Sequence, residues 1–242
     1  NNSDIYVDSN VNIALNTNAQ SYVAENSKIT LNSGKILTSG LNTGLSAFSL
    51  DGKTFSNGNS VILNNFKTGV LNKGTVTMNS ANAVGLYSLF GQNLNDSTGI
   101  INIVGNNGVG MYSEEQAELE NKGTINLNSN NAVGIFGKGD SGKNYSSSDN
   151  INIINAGIIN ANGSGSIGIG ANNNKAGSTL ADSIINNNGN INVNGANAVG
   201  IYAPKTTVTN TGDIILTGNN TVGVYGTNGT EITGTGTIDL DI

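Results

Sequence analysis

The chain lacks cysteine, histidine and tryptophan altogether, and its ten basic residues are all lysine. Without cysteine there is neither a disulfide framework nor a thiolate metal site. Without histidine a serine nucleophile has no base of the usual kind within reach. Charge is scarce, at 11% of residues, and its balance is −6. Phosphate binding needs a basic stripe, so the expectation is no nucleic-acid partner. No apolar run reaches the ~18 residues of a membrane-crossing helix. The first residues, N-N-S-D-I-Y-V, have no charged-then-apolar leader pattern. Proline occurs once, at Pro204.

What the chain has instead is asparagine, 34 glycines and regularly spaced Ile, Val and Leu. Polar, Asn-rich composition alone fits a disordered tract, but disordered segments lack enough apolar side chains to offset their ordering entropy. The apolar residues here recur in a fixed frame. Asn187–Ala203 reads N-N-G-N-I-N-V-N-G-A-N-A-V-G-I-Y-A, and close copies occupy Asn72–Ser88, Asn121–Gly137 and Asn210–Gly226. Looser copies begin at Asn32, Ser97 and Asn155, and a truncated one at Gly234. The glycine of V-G-I recurs as Gly85, Gly110, Gly134, Gly168, Gly200 and Gly223, at separations of 25, 24, 34, 32 and 23. The bare unit is thus 23–25 residues, and the two long gaps contain insertions.

Each unit holds three short alternating bursts, of the types S-I-I-N, I-N-V-N and A-V-G-I-Y-A. Alternation over four to six residues indicates strand, and β-branched Ile, Val and Thr agree. Three strands per repeat with Gly or Asn corners predict an all-β fold: a right-handed single-stranded parallel β-helix of about 8–9 turns. A β-sandwich is the competing all-β reading, but its strands do not recur as near-copies. Leucine-rich repeats require an L-x-x-L-x-L pattern that is missing. At ~4.8 Å per turn the rod is on the order of 40 Å long.

Stacking at this period puts equivalent residues over one another. Three aliphatic columns are expected inside: Val76, Ile125, Ile191 and Ile214; Val84, Val109, Val133, Ile167, Val199 and Val222; and Leu86, Met111, Ile135, Ile169, Ile201 and Val224. The asparagine of N-x-G forms a further column, Asn32, Asn72, Asn121, Asn155, Asn187 and Asn210, whose amides can pass hydrogen bonds from turn to turn. An A/T-rich genome also enriches Asn, Ile and Lys, but codon usage does not explain fixed spacing. The glycines that follow, Gly34, Gly74, Gly123, Gly157, Gly189 and Gly212, are expected at corners with positive φ.

These coils, with the strings Asn82–Ser88, Asn131–Gly137 and Asn197–Ala203, resemble the passenger regions of type V autotransporters. More narrowly they resemble the large Asn/Gly-rich adhesins of fusobacterial type, over nearly the whole chain. The resemblance implies a surface-displayed, outer-membrane virulence protein secreted by the type V route. It also implies a C-terminal β-barrel, absent from this sequence, as the membrane anchor. Residues 1–242 read as a passenger segment of a longer protein, since the repeat is running near residue 5 and at Ile242, without capping repeats. Insertions are expected at 49–60, 138–149 and 171–182.

Several apparent active-site features dissolve on inspection. Gly139-Asp140-Ser141-Gly142 matches the surroundings of a protease serine, but the chain has no base to activate it. Glu114, Glu115, Glu118 and Glu120 form the one dense acidic cluster, without the loop of a calcium site, and read as a solvated corner. A glycosidase needs two carboxylates at about 5–10 Å, and no such pair recurs on adjacent units. The expectation is therefore no enzyme, no cofactor and no metal.

Recognition residues are sought on loops over a rigid scaffold. All three insertions follow the strand that ends at the aromatic position, which places them at one corner. Lys53, Phe55, Lys138, Asp140, Lys143, Asn144, Tyr145, Asn172, Asn174 and Lys175 are the loop candidates, with tolerated loop growth as the alternative. Tyr87, Tyr112, Phe136, Tyr202 and Tyr225 share one position, where Ser46 and Gly170 also fall, and are expected as an outward stripe. Such a stripe either stacks on sugar rings or a partner protein, or covers neighbouring glycines for stability. The function expected is an adhesin segment binding host-cell glycans, a receptor protein or other bacteria. A non-binding stalk is the second reading and a carbohydrate-active enzyme the third.

Overall fold

The structure, a computed structural model, describes residues 5–7, 13–18, 22–24, 28–31, 35–39, 68–79, 81–89, 91–114, 117–139, 151–173 and 183–240. Every element among these residues is a strand, and the strands fall into three parallel sheets of nine, eight and eight members. Successive strands in the chain belong to successive sheets, and each pairs with the strand three places on. One turn runs from Asn190–Val193 in the first sheet through Val199–Pro204 in the second to Thr207–Asn210 in the third. This is a right-handed parallel β-helix with three strands per turn. Val199 lies directly opposite Val222, and Ile201 opposite Val224, so the repeat period is the coil period.

The core is a set of aliphatic stacks. Val76, Ile101, Ile125, Ile159, Ile191 and Ile214 from the first sheet are fully buried. They face Leu86, Met111, Ile135, Ile169 and Ile201 from the second. Burying each such side chain stabilises by ~1.5–3 kcal/mol. The stack repeats coil after coil from Val76 to Ile214, so this part of the rod has one continuous core.

The column Val84, Val109, Val133, Ile167, Val199 and Val222 is not part of it. The first five are half-buried and Val222 is 37% exposed. The cause is a shared bulge, a break in the inward–outward alternation that recurs in step at Gly85, Gly110, Gly134, Gly168 and Gly200. After the valine two successive residues turn inward, the glycine and then the aliphatic, as the burial pattern of Val133–Gly139 records. A Cβ at Gly134 would lie 2.5 Å from the carbonyl oxygen of Gly168 and 3.3 Å from Ile159 Cγ2. The inward place beside the core is therefore taken by bare backbone, and the valine before it faces out. Ala83, Ala132 and Ala198, one position earlier still, are buried instead.

The asparagine column is a continuous buried ladder. Asn72 Nδ2 donates to Asn95 Oδ1, Asn95 to Asn121, Asn121 to Asn155, Asn155 to Asn187 and Asn187 to Asn210, each at 2.7–2.8 Å. All six are at most 4% exposed. A buried amide is costly unless its hydrogen bonds are made, and here each coil supplies the partner of the next. Asn95 belongs to this ladder although its coil lacks the N-x-G string; Asn32 lies outside the described residues.

Gly74, Gly123, Gly157, Gly189 and Gly212, the glycines after the ladder, are not at positive φ; Gly34 lies outside the described residues. Their requirement is steric. A Cβ at Gly123, Gly157, Gly189 or Gly212 would run into the carbonyl oxygen of the glycine one coil before. The left-handed corner falls instead on Asn82, Asn107, Asn131, Asn197 and Asn220, with φ of 55–62°, and on Gly165 in the same place at 68°. Asparagine tolerates that conformation better than other side-chain-bearing residues.

Candidate binding face

The outward aromatic stripe forms on the second sheet, immediately after the bulge. Tyr112 pairs in register with Tyr87 and with Phe136, and Tyr202 with Tyr225. The ring centroids are 5.6 Å apart for Tyr87–Tyr112, 5.9 Å for Tyr112–Phe136 and 5.7 Å for Tyr202–Tyr225. The last two rings are nearly parallel, at 5°. Such separations fall in the range of favourable ring contact. Tyr87, Tyr112, Phe136 and Tyr202 are half-buried, whereas Tyr225 is 48% exposed.

Gly170 interrupts the stripe between Phe136 and Tyr202. The Phe136 ring lies over it, so that a Cβ on Gly170 would meet Phe136 Cδ2 at 2.7 Å. The covering role expected for these rings is therefore present at this position. Ser46 lies outside the described residues; the strand paired with Val84–Leu89 is Lys35–Ser39, which sets Leu37 opposite Tyr87.

The stripe ends at the corner between the second and third sheets. The strand pairs that bracket the three expected insertions, Lys35–Ser39 and Thr68–Asn72, Val133–Gly139 and Ile151–Asn155, Ile167–Asn173 and Ser183–Asn187, all meet across this corner. Two of the strands run further than expected. Lys138 and Gly139 continue one strand and pair with Asn172 and Asn173 of the next. Lys138 and Asn172 are half-buried neighbours on adjacent coils. Lys53, Phe55, Asp140, Lys143, Asn144, Tyr145, Asn174 and Lys175 lie outside the described residues, as do Ser141 and Glu115.

The carboxylates of the described residues are spread over several coils. Glu118 and Glu120 point outward from the third sheet, and Glu120 pairs with Lys122 at 3.2 Å. Asp213, Glu231 and Asp239 are exposed on later coils. Among the described residues no three metal-ligating side chains cluster.

A second concavity went unread in the sequence. At the corner between the third and first sheets the stacked glycines leave an open groove of about 440 Å³, lined by Gly123, Gly157 and Gly189 with Lys122, Ile158 and Asn190.

The model of one protein family, the BigA third pectate lyase-like domain, matches residues 1–237. The chain belongs to this family. A BigA third pectate lyase-like domain is a passenger domain of an autotransporter-type adhesin, so the parallel coil expected from the sequence holds, and the family is that of a surface-exposed adhesin. No curated protein and no solved structure matches the chain.

Proposed function

We propose that this domain is a loop-displaying shaft whose attachment surface is the corner between the second and third sheets. The observation that supports the reading is that the strands flanking the three expected insertions meet across that corner, beside a stripe of stacked rings on the second sheet. Rings with an apolar face and a wet edge suit sugar rings or a protein partner. The partner class is a host-cell glycan, a receptor protein or the surface of another bacterium. The domain acts without catalysis, metal or cofactor, and its hold on the outer membrane comes from a β-barrel elsewhere in the parent protein.

The test is to shorten the three segments at 49–60, 138–149 and 171–182 separately and together in the parent protein. Each variant is scored for cell attachment and glycan-array binding. Loss of attachment with an unchanged circular-dichroism spectrum is the expected result. Full attachment by the triple variant refutes the reading and leaves the domain a spacer.

A further inference from the structure

Five Asn–Gly pairs occur among the described residues, at Asn107, Asn162, Asn188, Asn194 and Asn228. Asn–Gly is chemically labile because glycine leaves its backbone nitrogen free to approach the asparagine side chain. The fold treats the five pairs very differently. Gly163, Gly189 and Gly195 each donate their backbone N–H to the coil before, to Leu127 O at 2.9 Å, Asn155 O at 2.9 Å and Ala161 O at 2.8 Å. The preceding side chains are held as well. Asn162 donates to Asn128 and Asn194 to Asn162, both at 2.8 Å, and Asn188 accepts from Thr211 at 2.8 Å. Gly108 is buried against Ile103, where a Cβ would lie 2.6 Å from Cγ2, and the Asn107 side chain reaches Asn82 at 3.3 Å.

Asn228–Gly229 has none of these restraints. It forms the exposed turn between Val222–Thr227 and Glu231–Thr233, at the second-to-third-sheet corner, with φ of 58° and 84°. Nothing lies within 4 Å of a Cβ placed on Gly229. Among the described residues neither the Asn228 side chain nor the Gly229 N–H has a hydrogen-bond partner. The turn is closed from outside the pair, by Thr230 Oγ1 donating to Thr227 O at 2.8 Å and also to Ala203 O.

We infer that Asn228 is a site of spontaneous deamidation, singled out by the fold from chemically equivalent pairs. The Gly229 nitrogen, on losing its proton, forms a bond to Asn228 Cγ. The Cγ–Nδ2 bond breaks and the amide leaves as ammonia, carrying that proton. Water then opens the cyclic imide. Addition at Cγ gives aspartate, and addition at the backbone carbonyl gives isoaspartate with an extra backbone methylene. No oxidant, enzyme or cofactor enters the balance. The product is a new negative charge two residues beyond Gly226 and three beyond the exposed Tyr225 ring, on the corner where the inserted segments emerge.

The experiment holds the folded domain in mildly alkaline buffer and follows Asn228, Asn162, Asn188 and Asn194 by peptide mass spectrometry, resolving aspartate from isoaspartate. Ring closure at the three held sites must wait for local opening of the coil, so conversion at Asn228 is expected at least ~10-fold faster than at any of them. In denaturant the four rates converge. Equal rates in the folded domain overturn the inference, as does the folded order of rates persisting in the unfolded chain.

Discussion

Replacing Asn121 by aspartate exchanges one amide group for one oxygen at the middle of the buried ladder, and the consequence can be worked through. Asn121 accepts from Asn95 and donates to Asn155 at 2.8 Å, and donates to Gly123 O at 3.3 Å. In the variant, an ionised side chain keeps the bond from Asn95 but sets a carboxylate oxygen against Asn155 Oδ1, acceptor to acceptor, in a fully buried place. A protonated side chain donates its O–H to Asn155 and restores the chain, losing only the bond to Gly123. Burial without a cation disfavours the charged form and raises a carboxyl pKa by up to ~3–5 units. Taking about 3 units above the unfolded value of ~3.9, at ~1.36 kcal/mol per unit, the variant loses about 4 kcal/mol at neutral pH.

The pH dependence follows from the sign of that shift. Between the unfolded and folded pKa values the folded state binds more protons than the unfolded, so stability falls as pH rises. The loss is therefore complete above about pH 7 and is recovered as pH falls toward about 4. Urea denaturation of variant and parent at matched pH gives the difference. Hydrogen exchange in Ala117–Asn121 and Ile151–Asn155 shows whether the opening is local, as repeat architectures allow. A loss independent of pH, or no loss at neutral pH, refutes the claim that the ladder is a buried directional hydrogen-bond chain.

Other substitutions test other parts of the rod. Asn93, fully buried and in register with Val70 and Leu119, has its Oδ1 unpartnered among the described residues although its Nδ2 reaches Tyr112 O at 3.0 Å. Asn93→Leu removes that unsatisfied acceptor and is expected to raise stability by about 1–3 kcal/mol in urea denaturation. Gly134→Ala inserts a methyl into the bulge against Gly168 O and is expected to cost about 1–3 kcal/mol by the same assay. Phe136→Ala uncovers Gly170 and is expected to lower the melting temperature more than Tyr225→Ala, whose ring covers no glycine of the stripe. Equal shifts from the two would remove the covering role.

The coil was legible because its information is redundant. Three apolar bursts per period, near-copied, leave one way to stack them, and five of the six ladder asparagines, all but Asn95, stand at equal places in their copies. What misled was a local break in alternation. V-G-I reads as Val in, Gly out, Ile in, but Gly134 and Ile135 both turn inward, so the Val84–Val222 column was assigned to the wrong side. The small residue was the signal, since only a residue without Cβ fits against the next coil's carbonyl. The same oversight put the N-x-G glycines at positive φ, whereas the strained turns fall on Asn82 and its equivalents. Of the candidate site, the outward rings were readable from tolerance of Tyr, Phe and Gly at one position. The loop residues were not, because insertions break the very repetition from which placement is read.

Neighbouring rungs of the asparagine ladder are 23, 26, 34, 32 and 23 residues apart in the chain, yet the bond between them stays at 2.7–2.8 Å. The scaffold thus keeps time by rungs and ignores how much polypeptide passes between two of them. Sequence can be added, shed or exchanged at the decorated edge while each rung still finds its neighbour. The decorated edge can thus be rewritten while the mast stays untouched.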